Sequence, residues 1–268
     1  MFDELFQPLT DEQLEGYMNH LKMRSPMIAD RTYLDHLIRT HQMQVVFENL
    51  DSWHFKKQGG LGTAELYNKI IERKRGGYCF ELNALYHALL LKLGYDAAPC
   101  MCRILEGEAP ERSQISHRGE LVRLDGQLLY TDVGFGGPQP PFSVAIQENY
   151  KQTKFGETFF VRQYDENWWT LFRINSKGRE EAVLQFTIVP QSPVDFLALH
   201  YYIGGKPDGE FATTPIFNRR TEKGNIGIYA DELSIRVDGN TVRKKLETKK
   251  EILEMVEKYF LFPESFRV

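Results

Sequence analysis

Residues 75–83 read RGGYCFELN, and this stretch decides how the first third of the chain folds. Its two glycines allow a tight backbone turn immediately before Cys79. The residues after the cysteine are apolar at helical spacing as far as Leu93. We therefore predict that Cys79 begins a helix, where free amide hydrogens and the positive end of the helix dipole favour the nucleophilic thiolate. The alternative is a buried cysteine that serves as a small apolar residue.

The pattern of residues divides the chain into three regions. Residues 1–95 show helical periodicity, apart from a loop predicted over 45–62. Residues 96–192 consist of short strand-like runs separated by turn residues, which predicts a small barrel or curled antiparallel sheet. Residues 193–268 combine further short strands with a last helix that Thr248 caps. The predicted fold class is therefore α+β.

One predicted hairpin brings a histidine close to an aspartate. The dipeptide DG at 125–126 joins the strand-like runs 119–124 and 127–133, and it is a strong signal for a two-residue turn. With the turn at this position, the ends of the two strands lie opposite each other. His117 therefore lies near Asp132 across the edge of the sheet.

These residues have the types that nucleophilic catalysis by cysteine requires. A cysteine nucleophile needs a base within hydrogen-bond reach, and the base needs a group that orients it. We predict that Cys79, His117 and Asp132 form such a catalytic triad, although the spacing alone does not bring the thiol to the histidine. The alternatives are a histidine in an ordinary loop and an aspartate in a strand-end turn.

Composition narrows the range of partners and compartments. The 268 residues carry a net charge of −4 with no basic block, which argues against nucleic acid. The sequence contains no run of 18 apolar residues, so no membrane span is predicted. Its acidic start is unlike a signal peptide. The three cysteines, Cys79, Cys100 and Cys102, do not form a disulfide framework or a zinc motif. We therefore expect a cytoplasmic protein with no metal.

Three motifs occur in order along the chain: FENLD at 47–51, RGGYCFELN at 75–83 and DVGFG at 132–136. In these motifs the sequence resembles the arylamine N-acetyltransferases. The separations of 38 residues from Cys79 to His117 and of 15 residues from His117 to Asp132 are those of that family. Residues 195–202 and 219–221 also fit, so the resemblance covers nearly the whole chain. A departure is Val45-Val46, where the family often carries a proline.

The resemblance implies a fold and a role for each site residue. The fold is an N-terminal helical bundle (1–95), a central antiparallel β-barrel (96–192) and a C-terminal α/β lid (193–268), with a core like that of cysteine proteases. Cys79 is implied as the acetyl acceptor, His117 as its base or ion-pair partner, and Asp132 as the group that orients the histidine. The implied substrate-binding residues are Phe47 and Phe135 for the acceptor, and Ser113, Gln114 and Tyr202 for coenzyme A.

The implied activity is a two-step transfer of acetyl from acetyl-coenzyme A, through a thioester on Cys79, to an arylamine or arylhydrazine. A monomer and a homodimer are both compatible with the sequence. One alternative is a papain- or transglutaminase-like amidase or amide synthase, which uses the same three residue types. Another is a non-enzymatic scaffold in which the triad is vestigial.

Overall fold

Helices form the first part of the chain. The computed structural model describes residues 2–105 and 107–260. Thr10 and Asp30 cap the first two helices by accepting hydrogen bonds from the backbone nitrogens of Gln13 (3.1 Å) and Tyr33 (2.7 Å). The helices are α1 (Asp11–Leu21), α2 (Arg31–Gln44), α3 (Leu50–Trp53), α4 (Thr63–Tyr67), which continues as a π-helical turn (Asn68–Glu72), and α5 (Cys79–Lys92).

An antiparallel, nearly closed barrel follows α5 in the chain. Eight strands of the described residues form it, in the spatial order β5-β4-β3-β2-β9-β8-β7-β6. Near the open edge, Asn149 N donates to Val161 O (3.0 Å) across the gap. The strands are β2 (Asp96–Ile104), β3 (Ile115–Leu124), β4 (Gln127–Thr131), β5 (Val144–Ala145), β6 (Gln152–Lys154), β7 (Glu157–Gln163), β8 (Trp168–Ile174) and β9 (Glu180–Thr187).

The described residues of the last part of the chain combine a second sheet with several helices. Its strands are joined by β1 (Phe47–Glu48) from the first region, which pairs with β10. α8 packs its buried face on this sheet. The elements are α6 (Leu197–Gly205), α7 (Glu210–Thr213), β10 (Ile216–Thr221), β11 (Gly224–Tyr229), β12 (Glu232–Val237), β13 (Asn240–Lys245) and α8 (Lys249–Phe260).

The structure confirms the predicted α+β class of bundle, barrel and lid. The predicted loop over 45–62 is wrong in part, because it contains β1 and α3. β1 has only two residues, and partners distant in sequence hold it, so no local pattern reveals it. The boundaries of the three regions stay predictions, and residues 261–268 of the third lie outside the described residues. Across 2–105 and 107–260, no helix is both long and apolar enough to cross a bilayer.

The turn between β3 and β4 generates a prediction about stability. Gly126 has φ +74°, a left-handed conformation that costs an L-residue about 1 kcal/mol. We expect Gly126→Ala to lower the free energy of unfolding by about that amount, measured by urea titration. Asp125→Gly is the matched control, because glycine adopts the positive φ of that position without strain. Equal stability of Gly126→Ala and the parent would contradict the turn's role.

Candidate active site

Cys79 is the first residue of α5, as the sequence predicts. The helix start is fixed by Glu81, whose carboxylate accepts a hydrogen bond from Tyr78 N (3.1 Å). Cys79 is buried, with 3% of its surface exposed, and its Sγ lies 3.9 Å from the Ser116 carbonyl oxygen on β3. The thiol therefore sits where the helical bundle meets the barrel.

Gly76 and Gly77 allow β1 to run alongside the turn before Cys79. Glu48 N donates to Gly77 O (2.9 Å), and Gly77 N donates to Val46 O (3.2 Å). A Cβ atom on Gly76 would overlap the Val46 carbonyl oxygen. Glycine is required here because two backbone segments approach too closely to leave room for a side chain.

A network of buried charges joins the same two segments. Arg75 pairs with Glu48 (2.8 Å) and with Asp51 (3.1 Å). Lys69, on the π-helical turn, pairs with Asp51 (2.8 Å) and with Glu81 (2.7 Å). The network thus links the FENLD segment, the RGGYC segment and the capping carboxylate of α5 through ion pairs that are largely shielded from water.

His117 and Asp132 meet across the hairpin as predicted. The register pairs Glu120 with Thr131 and Leu124 with Gln127, which places residue 132 beside the start of β3. His117 Nε2 lies 2.6 Å from Asp132 Oδ2, and both side chains are fully buried.

Three further donors hold the Asp132 carboxylate. Tyr130 donates its hydroxyl to Oδ2 (2.9 Å), while Asn83 Nδ2 (2.9 Å) and Gly134 N (2.8 Å) donate to Oδ1. The sequence analysis assigned no role to Asn83 or Tyr130. For Asn83 a signal was available, since a residue four positions after Cys79 lies on the same face of the helix.

The surroundings of His117 favour the charged form of its imidazole. Burial alone would lower the pKa of His117, but the Asp132 carboxylate and Cys79 raise it well above its usual range. Burial would likewise raise the pKa of Asp132, but His117 and the other donors lower it. Within the described residues, His117 Nδ1 is buried and lacks a hydrogen-bond partner. Asp132 thus occupies one side of the ring, and the opposite side is available to Cys79.

A cavity of about 430 Å³ opens in front of these residues. Phe135 lies edge-on to the His117 ring with centroids 5.4 Å apart, and Phe47 packs near Phe211 at 6.4 Å. Asp132 lies behind the cavity and does not line it. The predicted site residues that line the cavity are Phe47, Cys79, Ser113, Gln114, His117, Phe135 and Tyr202.

Comparison with known proteins identifies the family of this chain. The sequence model of the N-acetyltransferase family matches residues 31–263. The chain belongs to this family. It is 23% identical over 253 residues to the arylamine N-acetyltransferase of Mycolicibacterium smegmatis, covering 92% of this chain and 90% of that protein. The sequence-based resemblance to arylamine N-acetyltransferases is therefore confirmed.

Solved structures share the fold of this N-acetyltransferase. The M. smegmatis arylamine N-acetyltransferase structure superimposes with a TM-score of 0.88 at 22% identity, over 97% of this chain and 95% of that one. The Mycobacterium marinum enzyme in complex with CoA gives a TM-score of 0.85 at 22% identity, over 93% and 92%.

The cavity of this N-acetyltransferase also contains charged residues that the sequence analysis did not identify. Arg112 and Lys206 are basic, and Glu108 and Glu210 are acidic. They lie on the loop before β3 and around α6 and α7, where no motif pointed to them. Among residues 2–105 and 107–260, no cluster of three histidine, cysteine or acidic side chains could hold a metal ion.

The buried pair generates a prediction about pH. Asp132, with a lowered pKa, contributes stability above about pH 4, which is lost as the pH falls through its folded value. His117, with a raised pKa, contributes stability that is full below about pH 6.5 and is lost as the pH rises through its folded value. Both contributions are present between about pH 4 and pH 6.5. We therefore expect the free energy of unfolding of the parent to exceed that of Asp132→Asn by the largest margin in this range.

Urea unfolding of both proteins from pH 3 to pH 9 measures this difference. Asp165→Asn, in the exposed turn between β7 and β8, is the control and is expected to show no such maximum. A difference for Asp132→Asn that stays constant across the pH range would contradict the ion pair.

Proposed function

We propose that this N-acetyltransferase transfers the acetyl group of acetyl-coenzyme A to arylamines or arylhydrazines through a thioester on Cys79. The observation that supports this most is the arrangement around His117. Asp132 occupies Nε2 at 2.6 Å, and the buried Nδ1 is available to Cys79, which opens onto the cavity. Such a pair supplies a thiolate and a proton donor side by side.

In the first step the Cys79 thiolate attacks the thioester carbonyl of the substrate. A sulfur–carbon bond forms on Cys79, the bond to the coenzyme A sulfur breaks, and His117 gives its Nδ1 proton to that leaving sulfur. The first backbone amides of α5 have no partners within the helix, and they can stabilise the oxyanion. A thioester replaces a thioester, so the step needs no external driving force.

In the second step the amine attacks the acetyl carbonyl on Cys79. Neutral His117 takes a proton from the amine, and the cysteine leaves as the thiolate, which restores the starting pair. Aryl amines are mostly unprotonated at neutral pH and can attack, whereas alkyl amines are mostly charged. This difference in basicity favours arylamines and arylhydrazines as acceptors.

The lining of the cavity suits both substrates. Phe47 and Phe135 offer aromatic surfaces beside the reacting atoms, which we propose contact the aryl ring of the acceptor. Ser113, Gln114 and Tyr202 offer hydroxyl and amide groups that match the polar amides of the coenzyme A arm. The basic side chains Arg112 and Lys206, in the same cavity, match its phosphates.

We also propose that the enzyme works in the cytoplasm, because its three cysteines are free.

A papain- or transglutaminase-like amidase would use the same triad without coenzyme A. Incubation with acetyl-coenzyme A and an aniline, and separately with a peptide amide, distinguishes the two activities. Turnover of the peptide alone would overturn the proposal.

Intact-protein mass spectrometry tests the covalent step. We expect acetyl-coenzyme A to add one acetyl group to the parent chain, and an aniline to remove it. Cys79→Ala abolishes the adduct because the nucleophile is gone, whereas Cys100→Ala, which removes a buried cysteine of the barrel core, retains it.

Asp132→Asn lowers the turnover by roughly 100-fold or more, because the histidine loses its orienting group. Near-normal turnover of Asp132→Asn would contradict that role.

Steady-state kinetics test the two sets of cavity residues. We expect Gln114→Ala and Tyr202→Ala to raise the KM for acetyl-coenzyme A about threefold to tenfold, with the KM for the aniline little changed. Phe135→Ala is the matched opposite case, since it removes an aromatic contact with the acceptor and raises the KM for the aniline. Equal effects of all three variants on both constants would contradict the assignment.

A further inference from the structure

We propose that Tyr130 is a positioning residue for the acyl-transfer reaction, and that the glycine at position 119 is needed to admit its phenol ring. The proposal rests on the roles proposed above for Cys79, His117 and Asp132. It adds a fourth side chain to that set, outside the motifs that the sequence analysis used.

Tyr130 reaches the triad from the strand that carries Asp132. It precedes Asp132 by two residues, so the two side chains point to the same face of the extended chain. Its hydroxyl lies 2.9 Å from Asp132 Oδ2, the same oxygen that His117 Nε2 contacts at 2.6 Å. Because the carboxylate can only accept, the phenol must donate. The hydroxyl also lies 3.8 Å from Cys102 Sγ, which is a weak partner.

The phenol ring is held firmly in this position. Tyr130 is fully buried and stacks on Phe186, with ring centroids 4.4 Å apart and an interplanar angle of 29°. Burial and the Asp132 charge raise the pKa of Tyr130 well above its usual value, so the hydroxyl keeps its proton throughout the working pH range. Tyr130 is thus a permanent donor to the carboxylate.

Gly119 provides the space that this arrangement needs. It lies in the middle of β3, opposite Cys100 of β2, where a glycine weakens the strand and needs a reason. A Cβ atom on Gly119 would lie 2.6 Å from Tyr130 Cε2 and 2.8 Å from its hydroxyl oxygen, closer than side chains pack. Its φ is not in the left-handed range, so close approach rather than backbone conformation accounts for the glycine.

The phenol controls how strongly Asp132 acts on the imidazole. A second donor on Oδ2 stabilises the carboxylate and makes it a weaker acceptor for the His117 proton. It also fixes the direction from which that oxygen faces the ring. Loss of the phenol donor therefore strengthens the pull on the imidazolium proton, and Nδ1 of His117 loses its proton at a higher pH.

Alkylation of Cys79 by iodoacetamide between pH 4 and pH 11 tests this without any acetyl transfer. The rate reports the reactivity of Cys79 beside the imidazolium, and its upper step reports loss of the imidazolium proton. We expect Tyr130→Phe to move the upper step to higher pH by about half a unit or more. We also expect it to lower the rate of acetyl transfer several-fold.

Gly119→Ala provides an independent arm, because it displaces the phenol without touching the triad. We expect it to move the upper step in the same direction as Tyr130→Phe. In a Tyr130→Leu background, Gly119→Ala has little further effect, since the methyl group then has room. Tyr17→Phe is the matched control: it removes a buried hydroxyl bound to His41 (2.8 Å) and leaves the profile unchanged.

Two outcomes separate the failure of this proposal from the failure of the triad. If Tyr130→Phe reproduces the parent profile while Asp132→Asn alters it, Tyr130 has no positioning role and the triad stands. If the parent itself reacts as an ordinary thiol and Asp132→Asn changes nothing, the proposed function falls with it. Circular dichroism checks that each variant is folded. If Gly119→Ala does not fold, the profile of Tyr130→Phe alone decides between the outcomes.

Discussion

The buried carboxylate of Asp132 is the constraint on which the site depends. Moving an unpaired carboxylate out of water costs several kcal/mol after relaxation. Four donors offset that cost, each worth about 1.5–3 kcal/mol when the partner is charged. They come from α5, β3, β4 and the loop after β4, through Asn83, His117, Tyr130 and Gly134. Satisfying one carboxylate therefore fixes the helical bundle against the barrel.

A second set of charges controls the start of α5. The capping carboxylate of Glu81 lies two residues after Cys79, and a negative charge there opposes a thiolate. Lys69 lies 2.7 Å from it, and the π-helical turn places that ammonium in the network. Arg75 offsets Glu48 and Asp51 in the same way. The FENLD segment is thus close to the nucleophile because its two acids pair with the buried cations Lys69 and Arg75.

The sequence predicted those features that local chemistry determines. The dipeptide at 125–126 fixes a hairpin register, and the register brings His117 to Asp132. Glycines followed by an apolar run similarly place Cys79 at a helix start. The sequence could not place α5 against β3, because that contact depends on packing between distant segments. For the same reason the sequence did not predict β1, the role of Tyr130 or the charged residues of the cavity. Each of them acquires its partners only in the folded chain.

The third part of the chain completes the site through one buried histidine. His200 of α6 donates from Nε2 to the Gly59 carbonyl oxygen (2.8 Å), and its Nδ1 lies 2.5 Å from the Tyr78 hydroxyl. Burial lowers the pKa of His200, which favours a neutral ring whose Nδ1 accepts a hydrogen bond from the Tyr78 hydroxyl. Tyr78 immediately precedes Cys79, and Tyr202 of α6 lines the cavity. The helix that borders the substrate cavity is therefore anchored by hydrogen bonds to the residue beside the nucleophile.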